Sequence, residues 1–171
     1  GQENIALIAD TVLTSYVSGW ETLGAVNDGV DPASSMDESH DTYGNWQAGV
    51  SNQWNWVQYN FDQYYVIDQS NVYWWTDQAD STSAVGVQMP YDCYLQYWDV
   101  ISNQWTEVKN PAGYGVKRDQ YNVTTFDPVL TDKIRLHFVS VSAQGIIEWQ
   151  VMGEPGEQIP VHSMAVINPA L

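Results

Sequence analysis

Three groups of residues in this chain have types and spacing suited to chemistry. The first is the run from Ala25 to Ser39, AVNDGVDPASSMDES, where Asp28-Gly29 makes a tight turn and Asp31, Ser34 and Asp37 add oxygen donors. Calcium takes roughly six to eight oxygens, mixing carboxylates with backbone carbonyls that a glycine-bearing loop turns inward. Read alone, the run is either such a loop or a solvated acidic turn, and it lacks the closing Glu of an EF-hand. The second group is Glu148 in GIIEWQVMG, Gly145 to Gly153. Period two sets Ile147, Trp149 and Val151 on one face and Glu148, Gln150 and Met152 on the other. Glu148 therefore either meets solvent or closes an ion site supplied by the Asp28 loop.

The third group mixes aromatic and polar residues: Trp20, His40, Tyr43, Trp75, Asp77, Tyr114, Lys117, Arg118 and Tyr121. An aromatic ring packs against the C–H face of a sugar, while charged or amide side chains bond its hydroxyls. Arg118 lies in the turn-rich GYGVKRDQYN, and His40 reads more simply as a surface histidine. In NVYWWTDQAD, Asn71 to Asp80, strand alternation sends Trp74 and Trp75 to opposite faces. The reading assigns Trp75 and Asp77 to a binding rim, Trp74 to the core, and Trp46 to the core as well. Cys93, the only cysteine, reads as a small buried apolar residue.

Catalytic signatures are missing. The chain contains no HExxH, GxSxG, P-loop or GxGxxG string. Carboxylates are plentiful, but a glycosidase pair needs a defined separation across a cleft, which sequence does not display. The expectation is a non-catalytic protein.

These residues are carried by short strands. WVQYNFD (56–62), VYWWT (72–76), YLQYWDV (94–100), NVTTFDP (122–128), KIRLHFVSV (133–141) and IIEWQVMG (146–153) are rich in β-branched and aromatic residues. In KIRLHFV, Ile134, Leu136 and Phe138 share one face and Lys133, Arg135 and His137 the other. IALIAD and TVLTSYVS are two further β-type runs near the start. Turn signals at Asp99–Gln104, Asn110–Gly115 and Asp127-Pro128 separate the strands. Residues 19–55 form a long polar stretch, a length more often functional or ion-bound than idle. No segment has a helical period. The pattern predicts an all-β, antiparallel β-sandwich over 1–153, with function in the loops at one end and a linker or C-terminal extension over 154–171.

Composition narrows the partners. The 171 residues hold 5 Lys+Arg against 21 Asp+Glu, a formal net charge of −16, which repels nucleic acid and anionic lipid. Only 15% of residues are charged, while 9 Trp and 11 Tyr are present, a balance suited to neutral polar ligands. No apolar run is long enough to span a membrane. No leader segment is read at the start, where Gly1 looks like a processed end.

Taken together, NIAL, AVNDG, WVQYNF and GIIEWQV resemble a discoidin, or coagulation-factor type C, domain of the galactose-binding-like superfamily. More narrowly, YGNW, VYWW, LQYWD, YNVTTFDPV, DKIRLHF and GIIEWQV resemble accessory modules of bacterial glycoside hydrolases, the likeness covering about residues 3–153. The resemblance implies an eight-stranded jelly-roll, a structural calcium, and sugar binding by loops at one end. Its calcium pattern falls on the Ala25 carbonyl, Asp28, Asp31, Ser34 and Glu148, although the loop from Asp28 to Trp46 is longer than in many relatives. The expected function is a carbohydrate-binding module of a secreted or cell-surface bacterial glycoside hydrolase, targeting a neutral plant or host glycan. Partners would be carbohydrate and a tethered catalytic domain. The competing readings are a structural sandwich that buttresses a catalytic domain and a glycan hydrolase or lyase.

Overall fold

The two longest strands set the architecture. In the computed structural model, which describes residues 2–47, 50–80 and 83–158, the segments 56–62 and 72–76 are parts of one strand, β4 (Asn55–Trp75). Likewise 122–128 and 133–139 belong to β7 (Asn122–Val139). Both strands are interrupted by bulges. Asn60 pairs with Lys133 and Tyr65 with Thr131, so four residues of β4 oppose one of β7. Ile67 pairs with Val129 and Gln69 with Thr125, so β7 carries the second excess, which includes Asp127-Pro128. Asp127-Pro128 is thus not the chain-reversing turn read from sequence. Proline lacks an N–H, and a bulge is a place where a strand tolerates that loss.

The bulges divide the strands between two antiparallel layers. One layer pairs β2 (Thr11–Thr14) with β4 at 57–60 and β5 (Asp92–Asp99) with β7 at 134–139. The edge of this layer is β6 (Gln104–Glu107), a strand starting inside what sequence marked as a turn. The other layer pairs β8 (Gly145–Pro155) with β4 at 65–75, and adds β1 (Glu3–Asn4) and β3 (Tyr43–Gly44) to β8. Tyr59 of the first layer stacks on Trp149 of the second at 4.3 Å, and Phe138 meets the edge of Trp74 at 5.8 Å. The fold is the expected antiparallel β-sandwich. Cys93 is buried, which pushes its thiol up to about 12.

Local departures have local causes. Ile5–Ile8 is a 3-10 turn rather than a β run, started by the Asn4 side chain accepting the Ala6 N–H. In β8 the register slips between Tyr73/Glu148 and Trp74/Ile146. Ile147 is therefore displaced from the Trp149 face and joins a second cluster with Val50, Tyr73, Trp75, Val87 and Ala143. The strand also passes the 153/154 boundary, ending at Pro155, and Gly156 N–H donates to Tyr64 O at 3.0 Å. The remainder of the expected extension, 159–171, lies outside the described residues. On the outward face of the first layer, the Arg135 guanidinium lies between Trp56 and Trp105, 4.0 and 4.2 Å from their centroids. Beside it, His137 stacks on Tyr94 at 4.4 Å.

Candidate functional site

Where β4 ends and β8 begins, loops enclose a cleft of about 300 Å³, at the small end of ligand pockets. Its floor is Trp75, the last residue of β4, paired with Gly145, while Gly44 of β3 pairs with the same glycine. A Cβ at Gly145 would overlap the Trp75 ring, and one at Gly44 would lie 2.9 Å from it. Two paired glycines thus make a flat seat for the indole. The wall is Trp20, 84% exposed, on a loop held by Ser18 N–H to Gly44 O and Thr22 N–H to Thr42 O, both 2.9 Å. Further lining comes from Glu38, His40, Asp41 and Thr42. Asp77 completes it, its Oδ1 accepting the Val87 N–H at 2.9 Å. A second hollow shares Trp20, Glu21 and Asp77 and reaches Trp46, so two exposed indoles flank one groove.

The groove is acidic. Glu21, Glu38, Asp41 and Asp77 line its first part, with no Lys or Arg among the lining residues. Burial, then repulsion from Asp77 and Glu38, raises the Glu21 carboxyl above its ordinary value. Glu21 Oε2 and Trp75 Nε1 are both buried without a hydrogen-bond partner.

The structure thus gathers Trp20, His40, Trp75 and Asp77 from the expected rim, and it separates the others. Tyr43 is fully buried, and its hydroxyl donates to Tyr16 O at 2.7 Å, so it is a core residue and not a rim residue. Tyr114 packs against the main core, its hydroxyl 3.5 Å from Glu107. Lys117 is exposed away from the cleft lining, and Arg118 donates to Gln78 O at 2.7 Å, bracing the loop after β4 from outside the cleft. Tyr121 donates to Asp31 Oδ1 at 2.5 Å. Trp46, read as core, is 47% exposed. Sequence reading missed Glu21, Glu38 and Asp41; the WET and DESHD strings were the available signal.

The proposed ion loop forms a second polar centre. Glu148 is 1% exposed, and its Oε2 accepts the Gly29 N–H at 2.9 Å while Oε1 has no partner. Burial first, then the neighbouring Asp28 and Asp31 carboxylates, push its carboxyl up to about 9. Gly29 has φ +79, the left-handed conformation that turns this N–H inward. The buried Tyr59 hydroxyl donates to Val26 O at 3.1 Å and Trp149 O at 2.7 Å, fixing the Leu23–Asn27 3-10 turn against β8. The Ser34 hydroxyl accepts the Met36 N–H within its own turn. Among the described residues no three His, Cys, Asp or Glu side chains stand close enough to hold a metal by themselves. An ion here needs carbonyl oxygens besides the carboxylates. The orphaned Oε1 of Glu148 with Asp28 beside it fits a calcium only with those carbonyls, because Asp31 Oδ1 already accepts the Tyr121 hydroxyl.

No family model matches the chain. Solved structures do. A chain from the Streptococcus pneumoniae β-galactosidase BgaA is similar with a TM-score of 0.66 at 19% identity, over 82% of this chain and 89% of that one. The family 32 carbohydrate-binding module of C. perfringens NanJ, solved with galactose, matches with a TM-score of 0.64 at 12% identity, over 89% and 99%. A family 89 glycoside hydrolase from Clostridium perfringens matches at 0.56 and 17% identity, over 88% of this chain and 15% of that one. The chain therefore has the β-sandwich fold of family 32 carbohydrate-binding modules.

Proposed function

We propose that this chain is a non-catalytic carbohydrate-binding module that brings a neighbouring glycoside hydrolase to its glycan. The observation that carries the reading is the groove beyond the end of β4, with Trp20 exposed as its wall and Trp75 as its floor. A sugar ring lies against Trp20 through its C–H face and directs its hydroxyls to Asp77, Thr42 and Asp41. So small a contact gives roughly 4–7 kcal/mol, about millimolar to ten micromolar. Tethering then raises the local concentration of the catalytic domain on a multivalent substrate. The fold shared with the NanJ module, and the match inside a larger hydrolase, support this reading. Secretion by a bacterium is part of the same proposal, and among the described residues no helix is long and apolar enough to cross a membrane.

Calcium belongs to the proposal as a structural ion. Glu148 and Asp28 would supply its carboxylates, with carbonyl oxygens of the Ala25–Asp31 turn completing the set. The ion would replace mutual repulsion with attraction and lock the turn to β8. The functional test is a glycan array with the wild type and Trp20→Ala. The proposal expects a confined set of bound glycans that the variant loses while keeping its melting midpoint. Silence across neutral and charged glycans would overturn it.

A further inference from the structure

We propose that the outward face of the first layer is a second binding surface, which takes a glycan chain bearing carboxylates. It is separate from the groove and shares no lining residue with it. Strand pairing sets Gln58, Arg135 and Gln96 in one row across β4, β7 and β5. Asn60 and Lys133 stand in the next row, where the Lys133 ammonium lies over the Trp98 ring at 5.3 Å. Trp98 pairs with Trp105 of β6, their rings edge to face at 5.6 Å. Two of the chain's five basic residues thus stand among three indoles, Trp56, Trp98 and Trp105.

Hydrogen bonds within the face use up its acceptors and leave its donors. Gln58 Oε1 accepts from Arg135 Nε at 2.9 Å and from Nη2 at 2.6 Å. Asn60 Oδ1 accepts from Gln58 Nε2 at 2.7 Å, and Gln96 Oε1 accepts from His137 Nε2 at 2.8 Å. What remains is Asn60 Nδ2, Gln96 Nε2, Lys133 Nζ and Arg135 Nη1, donors with no acceptor among the described residues and none of them sealed from solvent. Neither cation has a carboxylate partner among those residues, and burial lowers the Arg135 guanidinium from its ordinary value. A partly buried charge is costly without a counter-ion. A carboxylate supplies both things the face lacks, acceptors and negative charge, and it fits the edge that Arg135 keeps open between its two indoles. The rings then meet the C–H faces of the sugars. Lys133 and Arg135 lie two residues apart on β7, roughly 7 Å, so a ligand that uses both carries acid groups on more than one sugar. Asp92 and Glu107 reach this face by strand parity only at its margins, at the start of β5 and the end of β6. The net charge of −16 opposes a polyanion at long range, but at physiological salt that field fades beyond about 8 Å.

The test is calorimetric titration, in chelator and about 0.15 M salt, with a galacturonate hexasaccharide, its fully methyl-esterified form, and a poly-glutamate peptide of equal charge. The free acid is expected to bind about tenfold tighter than the ester, the difference that charge-assisted bonds supply. Lys133→Gln and Arg135→Gln should each erase most of that difference, and Lys133→Gln with Asn60→Ala carries the test if Arg135→Gln does not fold. Trp20→Ala should leave binding of the acid unchanged, so acidic sugars held by this face are the exceptions that the variant keeps on the glycan array. Equal affinity for acid and ester, or no binding of the acid, would overturn the inference and leave the groove reading standing. Loss of the acid in Trp20→Ala would overturn it by moving the ligand to the groove. Poly-glutamate binding as tightly as the acid would overturn it in favour of an acidic protein partner.

Discussion

Replacing Glu148 with glutamine isolates what the ion loop contributes. The carboxylate is 1% exposed and pushed up to about 9, chiefly by burial and then by Asp28. In the ion-free protein it holds its proton at pH 7, and ionising it there costs about 3 kcal/mol, two pH units at roughly 1.4 each. Calcium must overcome that cost, and its net effect is the binding linkage, about 2.7 kcal/mol when free ion stands 100-fold above its dissociation constant. A domain of this size shifts its midpoint by roughly 2–4 °C per kcal/mol, so saturating calcium should raise Tm by about 5–11 °C over chelator. Glu148→Gln has the same shape, retains an oxygen for the Gly29 N–H, and carries no charge. In chelator it should therefore melt within about 2 °C of the wild type or above it, and calcium should no longer move it. Differential scanning calorimetry of both proteins, with chelator and with calcium, gives the four midpoints. A wild-type Tm indifferent to calcium, or a variant that responds like the wild type, would refute the ion loop.

Two further outcomes follow from buried polar groups. Burial, then the Arg135 charge, lowers the His137 imidazole to about 4, whereas an unfolded histidine titrates near 6.5. The unfolded chain takes up the proton first, so this contribution is whole above about pH 6.5 and declines as pH falls towards 4, by up to about 3 kcal/mol. Glu148 titrates in the opposite sense over the same range, so the decline is read as the wild-type stability minus that of His137→Gln in urea melts from pH 8 to 4, and a difference that does not change with pH would contradict its origin. Tyr59→Phe keeps the ring on Trp149 but leaves the Val26 and Trp149 carbonyls without their hydroxyl donor. It should cost about 1–3 kcal/mol in the same assay, and wild-type stability would show that the 3-10 turn is held by other contacts.

Strand identity was legible because alternation leaves a local trace. Ile134, Leu136 and Phe138 face the core as their spacing requires, and Arg135 lies on the other face. Trp74 and Trp75 separate into two clusters as period two demands. What sequence hid were the bulges. Extra residues at 61–64 carry β4 on past the 56–62 segment, those at 126–128 carry β7 through Asp127-Pro128, and the slip at Ile147 changes its face. The groove was half legible. Trp20 and Asp77 advertise themselves by type and loop setting, but the seat of Trp75 depends on two glycines 101 positions apart that only strand pairing brings together. Tyr43 carries the same aromatic signal as Trp20, yet its place on β3 buries it. Trp46 shows the converse, lying just beyond β3 and turning outward to the groove.

The central claim is that a glycan binds in the groove beyond β4, and the indole N–H resonances of the nine tryptophans report it directly. In a ¹⁵N–¹H spectrum titrated with the best neutral glycan from the array, the signals of Trp20, Trp46 and Trp75 should move together and saturate. Those of Trp74, whose Nε1 already donates to Gly115 O, and Trp149, bonded to Ser70, should stay still. Shifts confined to Trp98 and Trp105, on the outward face of the other layer, or no shifts with any bound glycan, would contradict the account.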